Sequence, residues 1–242
     1  MQPEQKSSRA SFDFVLEDNL KTYRSFLLEN GAPPVRLPKG AVISSGGSPA
    51  PCVYFLLEGL VKVSVINIHG YERILGYHRK NSLFVMDGLR KSSSVVVTTT
   101  ALTELSALRL SMEDLVSLFS KDACFAAALV LYYSDVLKLM CYDAESQSSN
   151  SVQSKLANFI LLYTQCDEYQ RQGYLPFSQA ELASAVGASR VQVARICAQW
   201  KAAGLISVQK RRIDLLDQEA FVRYASFQGF DSDPAGRASP QF

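Results

Sequence analysis

The residues best suited to chemistry in this 242-residue chain are arginines, and the chemistry they suit is recognition of a polyanion. Residues 189–213 contain six basic side chains, Arg190, Arg195, Lys201, Lys210, Arg211 and Arg212, and no acid. The formal net charge of the whole chain is only +2, so the positive charge is local, as expected of a phosphate-facing surface on a nearly neutral protein. Arg190, Val191, Gln192 and Arg195 fall at helical spacing, opposite Val193, Ile196, Cys197 and Trp200, which must face a core. Arginine can donate bidentately to guanine O6 and N7, and glutamine suits adenine. Valine can make only apolar contacts, such as with a thymine methyl.

Other chemistries have less to stand on. The five cysteines (Cys52, Cys124, Cys141, Cys166, Cys197) are scattered with no CxxC spacing, which reads as reduced thiols. The two histidines, His69 and His78, show no HxH spacing and cannot supply the converging ligands of a cupin-type metal enzyme. No catalytic residue and no metal site are expected, and the chain is read as a non-enzyme. The opening MQPEQKSSRASFDF is polar and lacks a signal peptide's apolar run, and no stretch approaches 18 consecutive apolar residues. A cytoplasmic protein without a membrane span is expected.

The arginines need a rigid frame. Residues 177–206 read as two short helices joined by a tight turn. Ser178 caps the first, with Glu181 at capping-box spacing; Gly187 permits the turn; Ser189 caps the second. Residues 206–216 read as a hairpin, or wing, with Lys210, Arg211 and Arg212 at its tip. Ser178, Gln179 and the wing cations would hold phosphates, while Ser189, Arg190, Val191, Gln192 and Arg195 would enter the major groove.

Upstream, residues 14–29 carry a helical stripe of Leu16, Leu20, Tyr23 and Leu27. Residues 35–110 hold short β-branched and aromatic runs between glycine turns, which suggests an antiparallel sandwich or barrel. Asn67-Ile68-His69-Gly70 reads as a hairpin loop. Residues 112–119 and 124–145 return to helical spacing. On the second of these, Leu129, Tyr133, Val136 and Met140 follow the 4-3-4 spacing of a two-stranded coiled coil and are the expected dimer interface. The opposite face (Val130, Leu137, Cys141) is apolar too, so this helix needs two burial partners, its own β domain and a second copy of itself. The expected organisation is a flexible tail (1–11), a β domain (12–123), which the resemblance set out below makes an effector-sensing β-roll domain, a dimerisation helix (124–145), a hinge (146–151), a winged helix-turn-helix DNA-binding domain (152–227) and a second flexible tail (228–242).

Three motifs carry a resemblance: Leu37-Pro38-Lys39-Gly40-Ala41-Val42-Ile43, then Tyr54-Phe55-Leu56-Leu57-Glu58-Gly59-Leu60-Val61-Lys62-Val63, and residues 179–206. Together they make residues 35–222 resemble the CRP/FNR family of bacterial transcription regulators. The resemblance implies an α+β fold with an N-terminal cyclic-nucleotide-binding-like β-roll, a long dimerisation helix and a C-terminal winged helix-turn-helix. It also implies a homodimer on a palindromic operator of double-stranded DNA, with RNA polymerase a further partner, as for an activator. At the family's base-reading positions stand Arg190, Val191 and Arg195, with Val191 in place of the common glutamate.

The effector site departs from the family pattern. Cyclic-nucleotide binders carry a Gly-Glu pair for the ribose and an Arg-Ser pair for the phosphate. Those places are held here by Phe84, Val85, Val95 and Val96, and no basic residue occurs in residues 92–108. A cyclic phosphate would stay unpaired there, so cAMP is not expected to bind. With no cysteine before Cys52 the family's N-terminal iron–sulfur cluster is not expected, and lone histidines such as His69 and His78 are more often surface or hydrogen-bonded residues than haem ligands. Tyr77, Asn81-Ser82-Leu83 and Tyr133 are similar to the halophenol-sensing, CprK-like branch. Val136 stands where that branch has a lysine, and Lys138 is turned away by about 200°. A small neutral, apolar or aromatic effector is therefore expected, lined by Tyr77, Leu83, Phe84, Val85, Met86, Val95, Val96, Tyr133, Val136 and Leu137. The alternative is a redox-sensing or constitutively active regulator with no small-molecule ligand.

Overall fold

The computed structural model describes residues 14–50, 52–89, 93–148 and 151–226; the two expected tails lie outside the described residues. It has the α+β architecture expected, and the first departure comes at its start. In place of a helix over residues 14–29, Val15–Leu16 (β1) pairs in parallel with Glu72–His78 (β6), Val15 opposite Tyr77 and Leu16 opposite His78. Only Arg24–Asn30 (α1) is α-helical. Tyr77 N donates to Phe14 O (2.9 Å) and Arg79 N to Leu16 O (2.8 Å), so the strand's carbonyls find partners on β6 that a helix would have supplied internally. Asp18 adopts a left-handed φ of 61°, which no helix accommodates.

The remaining strands are Val35–Leu37 (β2), Val42–Ser44 (β3), Cys52–Glu58 (β4), Val61–Ile66 (β5), Leu83–Phe84 (β7), Thr98–Ala101 (β8) and Leu105–Ser111 (β9). They form a five-stranded sheet in the order β1-β6-β5-β8-β3 and a four-stranded sheet in the order β2-β9-β4-β7. Gly70, at φ 76°, closes the β5–β6 hairpin, where Asn67 Oδ1 accepts from the His69 and Tyr71 amides.

Met112–Lys121 (α2) starts on a Ser111–Asp114 capping box and leads to the long helix Ala123–Ser148 (α3). Phe125, Leu129 and Tyr132 are buried in the β-roll core; Tyr133 and Val136 pack against the same cluster and Met140 against the next. Within a single chain, the stripe expected at the dimer interface lies toward the chain's own core: Leu129 is buried, and Tyr133, Val136 and Met140 are half-buried. Leu129, at 5% exposure, is spent on the chain's own sandwich. Tyr132 sets the rotation of the helix: its hydroxyl donates to Leu83 O (2.7 Å) and accepts from Leu83 N (3.2 Å). The face left open carries Ala127, Val130, Ser134, Leu137, Cys141 and Ala144, with Val130 and Leu137 more than 60% exposed. Among the described residues α3 is the one helix long and apolar enough to cross a membrane. Its apolarity is divided between these two faces, one of which already lies on the β-roll.

The C-terminal region comprises Val152–Thr164 (α4), Asp167–Gln172 (α5), Gln179–Val186 (α6), Arg190–Ala202 (α7) and the hairpin Ile206–Gln209 (β10) with Arg212–Leu215 (β11). Ser151 caps α4 by accepting from Ser154 N. The helix breaks between α3 and α4, but the hydrophobic core does not. Phe14 lies edge-on to Tyr77 (5.6 Å between centroids) and to Phe159 (4.8 Å), and Tyr77 stacks on Phe177 (6.1 Å). One buried cluster thus runs from β1 and β6 into α4, α6 and α7. Around it Arg73 pairs with Asp143, Arg79 with Glu168 and Arg171 with Glu17, and the Tyr71 hydroxyl donates to Ala188 O (3.4 Å).

Candidate nucleic-acid interface

Helices α6 and α7 are fixed from within. Leu182, Ala183 and Val186 of α6 and Val193, Ile196, Cys197 and Trp200 of α7 are buried. Trp200 is 1% exposed and meets Phe221 edge-on at 5.0 Å. Each helix opens on a complete capping box: Ser178 and Glu181 exchange bonds at α6, Ser189 and Gln192 at α7. Gly187, at φ 65°, makes the turn between them. A Cβ there would also stand 3.0 Å from Gln147 Oε1 at the end of α3, so the turn lies directly against the long helix.

The frame leaves Ser189, Arg190, Val191, Gln192 and Arg195 exposed at the start of α7, with Val191 at 78%. Ser178, Gln179, Arg190 and the wing residues Lys210 and Arg211 line one cleft, between the start of α6, the start of α7 and the β10–β11 hairpin. Arg190 of the expected reading set thus lies beside the phosphate-holding Ser178, Gln179, Lys210 and Arg211, while Ser189, Val191, Gln192, Arg195 and Arg212 lie outside this cleft.

Their chemistry is less uniform than their types suggest. Gln192 Oε1 accepts from Ser189 N (3.1 Å) and Ser189 Oγ (2.9 Å), so its carbonyl is turned back to the cap and only the amide NH2 group is left for a base. Arg211 donates to Glu181 Oε1 (2.8 Å), and Glu181 Oε2 accepts from Ser178 N and Ser178 Oγ. Burial by itself would raise the Glu181 carboxyl; the Ser178 bonds and the Arg211 guanidinium outweigh it and hold it below the usual carboxylate range. Arg212 chelates Asp214 (2.9 and 3.2 Å from Nε) and lies 4.4 Å over the Tyr174 ring. Of the three basic residues at the wing tip, two thus have carboxylate partners. Glu181 and Asp214 escaped a sequence reading because both fall just outside the acid-free stretch, although Glu181 already stood out as a capping residue.

The expected effector residues do not converge. Tyr77 belongs to the interdomain aromatic cluster. Leu83 packs in the core beneath α3, with Met86, Tyr133 and Val136 against it. Phe84, Val85 and Val95 are buried in a separate cluster inside the β-roll, where Phe84 stacks on Tyr54 at 5.3 Å. Val96 and Leu137 are more than 60% exposed. His78 is buried, 3.3 Å from Ser82 Oγ and 3.4 Å from the Tyr132 hydroxyl, and burial pushes its imidazole down to about 3. Among the described residues no group of three or more His, Cys, Asp or Glu side chains could hold a metal ion.

A capped two-helix reader followed by a basic wing, attached to a two-sheet roll through a long helix, defines a winged helix-turn-helix DNA-binding protein with a ligand-domain fold upstream. Residues 34–122 match the cyclic nucleotide-binding domain model and residues 154–224 the Crp-like helix-turn-helix domain model. The chain belongs to the CRP/FNR family of transcription regulators. Among its relatives is the global nitrogen regulator of Synechocystis sp. (strain PCC 6803), 26% identical over 175 residues that cover 69% of this chain and 77% of that protein. Similar solved structures include a CprK variant complexed with OCPA, at TM-score 0.72 and 17% identity over 89% of this chain and 99% of the other. A CooA mutant from Carboxydothermus hydrogenoformans gives TM-score 0.73 and 17% identity over 89% and 100%. At such identities the likeness concerns the fold, and the CprK-like branch is one near resemblance among several.

Proposed function

We propose that the protein is a homodimeric, sequence-specific transcription regulator of the cytoplasm. The observation that carries this reading is the start of α7, where Arg190, Val191 and Arg195 stand exposed on a helix whose other face is locked into a core. The second copy would join along Ala127, Val130, Ser134, Leu137, Cys141 and Ala144. These residues repeat every three and four positions and combine apolar with small side chains, as close parallel helices need. A two-fold axis along paired α3 helices puts both readers at the same end, where they meet half-sites about 34–36 Å apart on a palindromic operator. RNA polymerase is the protein partner this arrangement serves. In a footprint on operator DNA, Arg195→Ala should cost about 1–3 kcal/mol of specific binding; an unchanged footprint would remove Arg195 from the reading set.

For regulation, the reading supported best is a β-roll that takes a small neutral, apolar or aromatic molecule and no cyclic nucleotide. Met86, Tyr133 and Val136 meet where such a molecule could press on α3 and, through the Gly187 contact, on the reader. The packed interior around Phe84, Val85 and Val95 favours a second reading, a regulator that needs no ligand. Operator affinity measured with and without a panel of neutral aromatics separates the two: a shift supports the first, and identical affinity across the panel supports the second.

A further inference from the structure

The turn after β7 carries an exposed carboxylate, Asp87, that is in neither the reader nor the expected effector set. One of its oxygens, Oδ2, accepts from both Val96 N (2.6 Å) and Val97 N (3.2 Å). Two successive backbone amides aimed at a single anionic oxygen form a small anion cradle.

The surrounding backbone holds the turn in place. Gly47 N donates to Val95 O (2.8 Å) and Val95 N to Ser48 O (3.0 Å). At Gly88 a Cβ would stand 2.1 Å from Ala50 O, so only glycine fits there. Val85 is forced to a left-handed φ of 61°, which is costly for a β-branched residue and marks a turn fixed by its surroundings. From α3, the Tyr133 hydroxyl donates to Met86 O (3.2 Å). Its phenol is pushed up to about 12, by burial first and by the Asp87 charge second.

The domain is of the cyclic nucleotide-binding type, and a ligand of that class brings an anion that must be met by donors. Donors are present here, but the chain's own carboxylate already holds them. We propose that Asp87 is a built-in anion: it fills the amide cradle of Val96 and Val97 that an anionic effector would need, and so keeps the β-roll self-liganded and closed to phosphate- or carboxylate-bearing molecules. A phosphate entering would compete for the same two amides and meet a like charge beside them, whereas a neutral molecule meets neither obstacle. The proposal rests on the reading that this β-roll takes no cyclic nucleotide and names the group responsible.

A carboxylate that only pins the loop would leave no affinity behind when removed; a built-in anion leaves an empty cradle. The full-length protein, its Asp87→Ala variant and its Asp87→Asn variant are melted while inorganic phosphate replaces chloride at constant ionic strength. Wild type should show no phosphate-specific rise in midpoint. Asp87→Ala should rise by about 2–4 °C, as saturable binding to the native state requires, and Asp87→Asn, which loses the charge but keeps the shape, should rise by less. If Asp87→Ala does not fold, Asp87→Asn decides alone. No phosphate-specific rise in the folded variants overturns the built-in anion and leaves the cAMP-indifference of wild type standing. Calorimetric binding of cAMP by wild type overturns both.

Discussion

Lys210, Arg211 and Arg212 are neighbours in sequence with different electrostatic surroundings. DNA affinity falls with salt because phosphate contacts release counterions, at about 0.9 per phosphate neutralised. Lys210→Ala should therefore lower the slope of log affinity against log salt by about 1. Arg211→Ala should lower it less, because Arg211 must leave Glu181 before it can serve a phosphate. Equal slopes for the two variants would mean that the Arg211–Glu181 pair does not persist in solution. His78 makes a second prediction. Its ordinary value is 6.5, and the folded state holds it down to about 3 by burial. It is neutral in the fold and charges more readily in the unfolded chain, so its contribution is complete above about pH 6.5 and is lost as pH falls toward 3. In the upper part of that window stability should fall by up to about 1.4 kcal/mol per pH unit. His78→Gln should flatten the fall between about pH 6.5 and 5 in urea titrations, and an unchanged profile would point to other groups. The residue types at the reader were legible from spacing alone, because burial of Val193, Ile196 and Trp200 forces Arg190, Val191 and Arg195 outward. What spacing could not tell was which polar atoms are already taken. Gln192 and Arg211 lose theirs to partners at local capping distance and thirty residues away in sequence, respectively.

At the scale of the element, α3 shows how far periodicity goes. Both of its faces repeat at coiled-coil spacing, so the sequence supports two burial partners but cannot say which face takes which. The decision falls to Tyr132, whose hydroxyl bridges both backbone polar groups of Leu83 and which belongs to neither expected stripe. The two faces should respond differently to substitution. Leu129→Ala removes a buried side chain from the β-roll core and should cost about 2–5 kcal/mol of stability. Leu137→Glu places a charge on the open face; it should leave the protomer folded by circular dichroism but shift sedimentation from dimer to monomer. If Leu137→Glu stays dimeric, the seam is not on this face. The N-terminal strand shows the same limit of local pattern. Leu16 and Leu20 are buried just as a helical stripe would have them, yet the hydrogen bonds come from β6, a distant stretch of the chain whose pairing no local pattern encodes.

At the scale of the molecule, two family domains share one core. Phe14, Tyr77, Phe159 and Phe177 meet across the junction, and the ion pairs Arg79–Glu168 and Arg171–Glu17 flank them. Phe177→Ala should cost about 3–5 kcal/mol. Because the cluster belongs to both domains, the loss should appear as one lowered calorimetric transition. Two separate transitions in the wild-type protein would show that the shared core does not couple the domains. The order of the β-roll, long helix and winged reader was legible in the sequence, since each has its own periodicity and punctuation. The junction was not, because its four aromatic residues come from separate stretches, and Tyr77, the one that stood out, pointed to an effector site and not to the junction. That junction also limits how the parts can be exchanged. A chimera that joins this β-roll and α3 to a foreign winged helix would leave Phe14 and Tyr77 facing water unless the incoming domain carries large aromatics at the positions of Phe159 and Phe177. Grafts without them should be sticky and short-lived, and grafts with them soluble, so the aromatic socket acts as a compatibility key between sensor and reader.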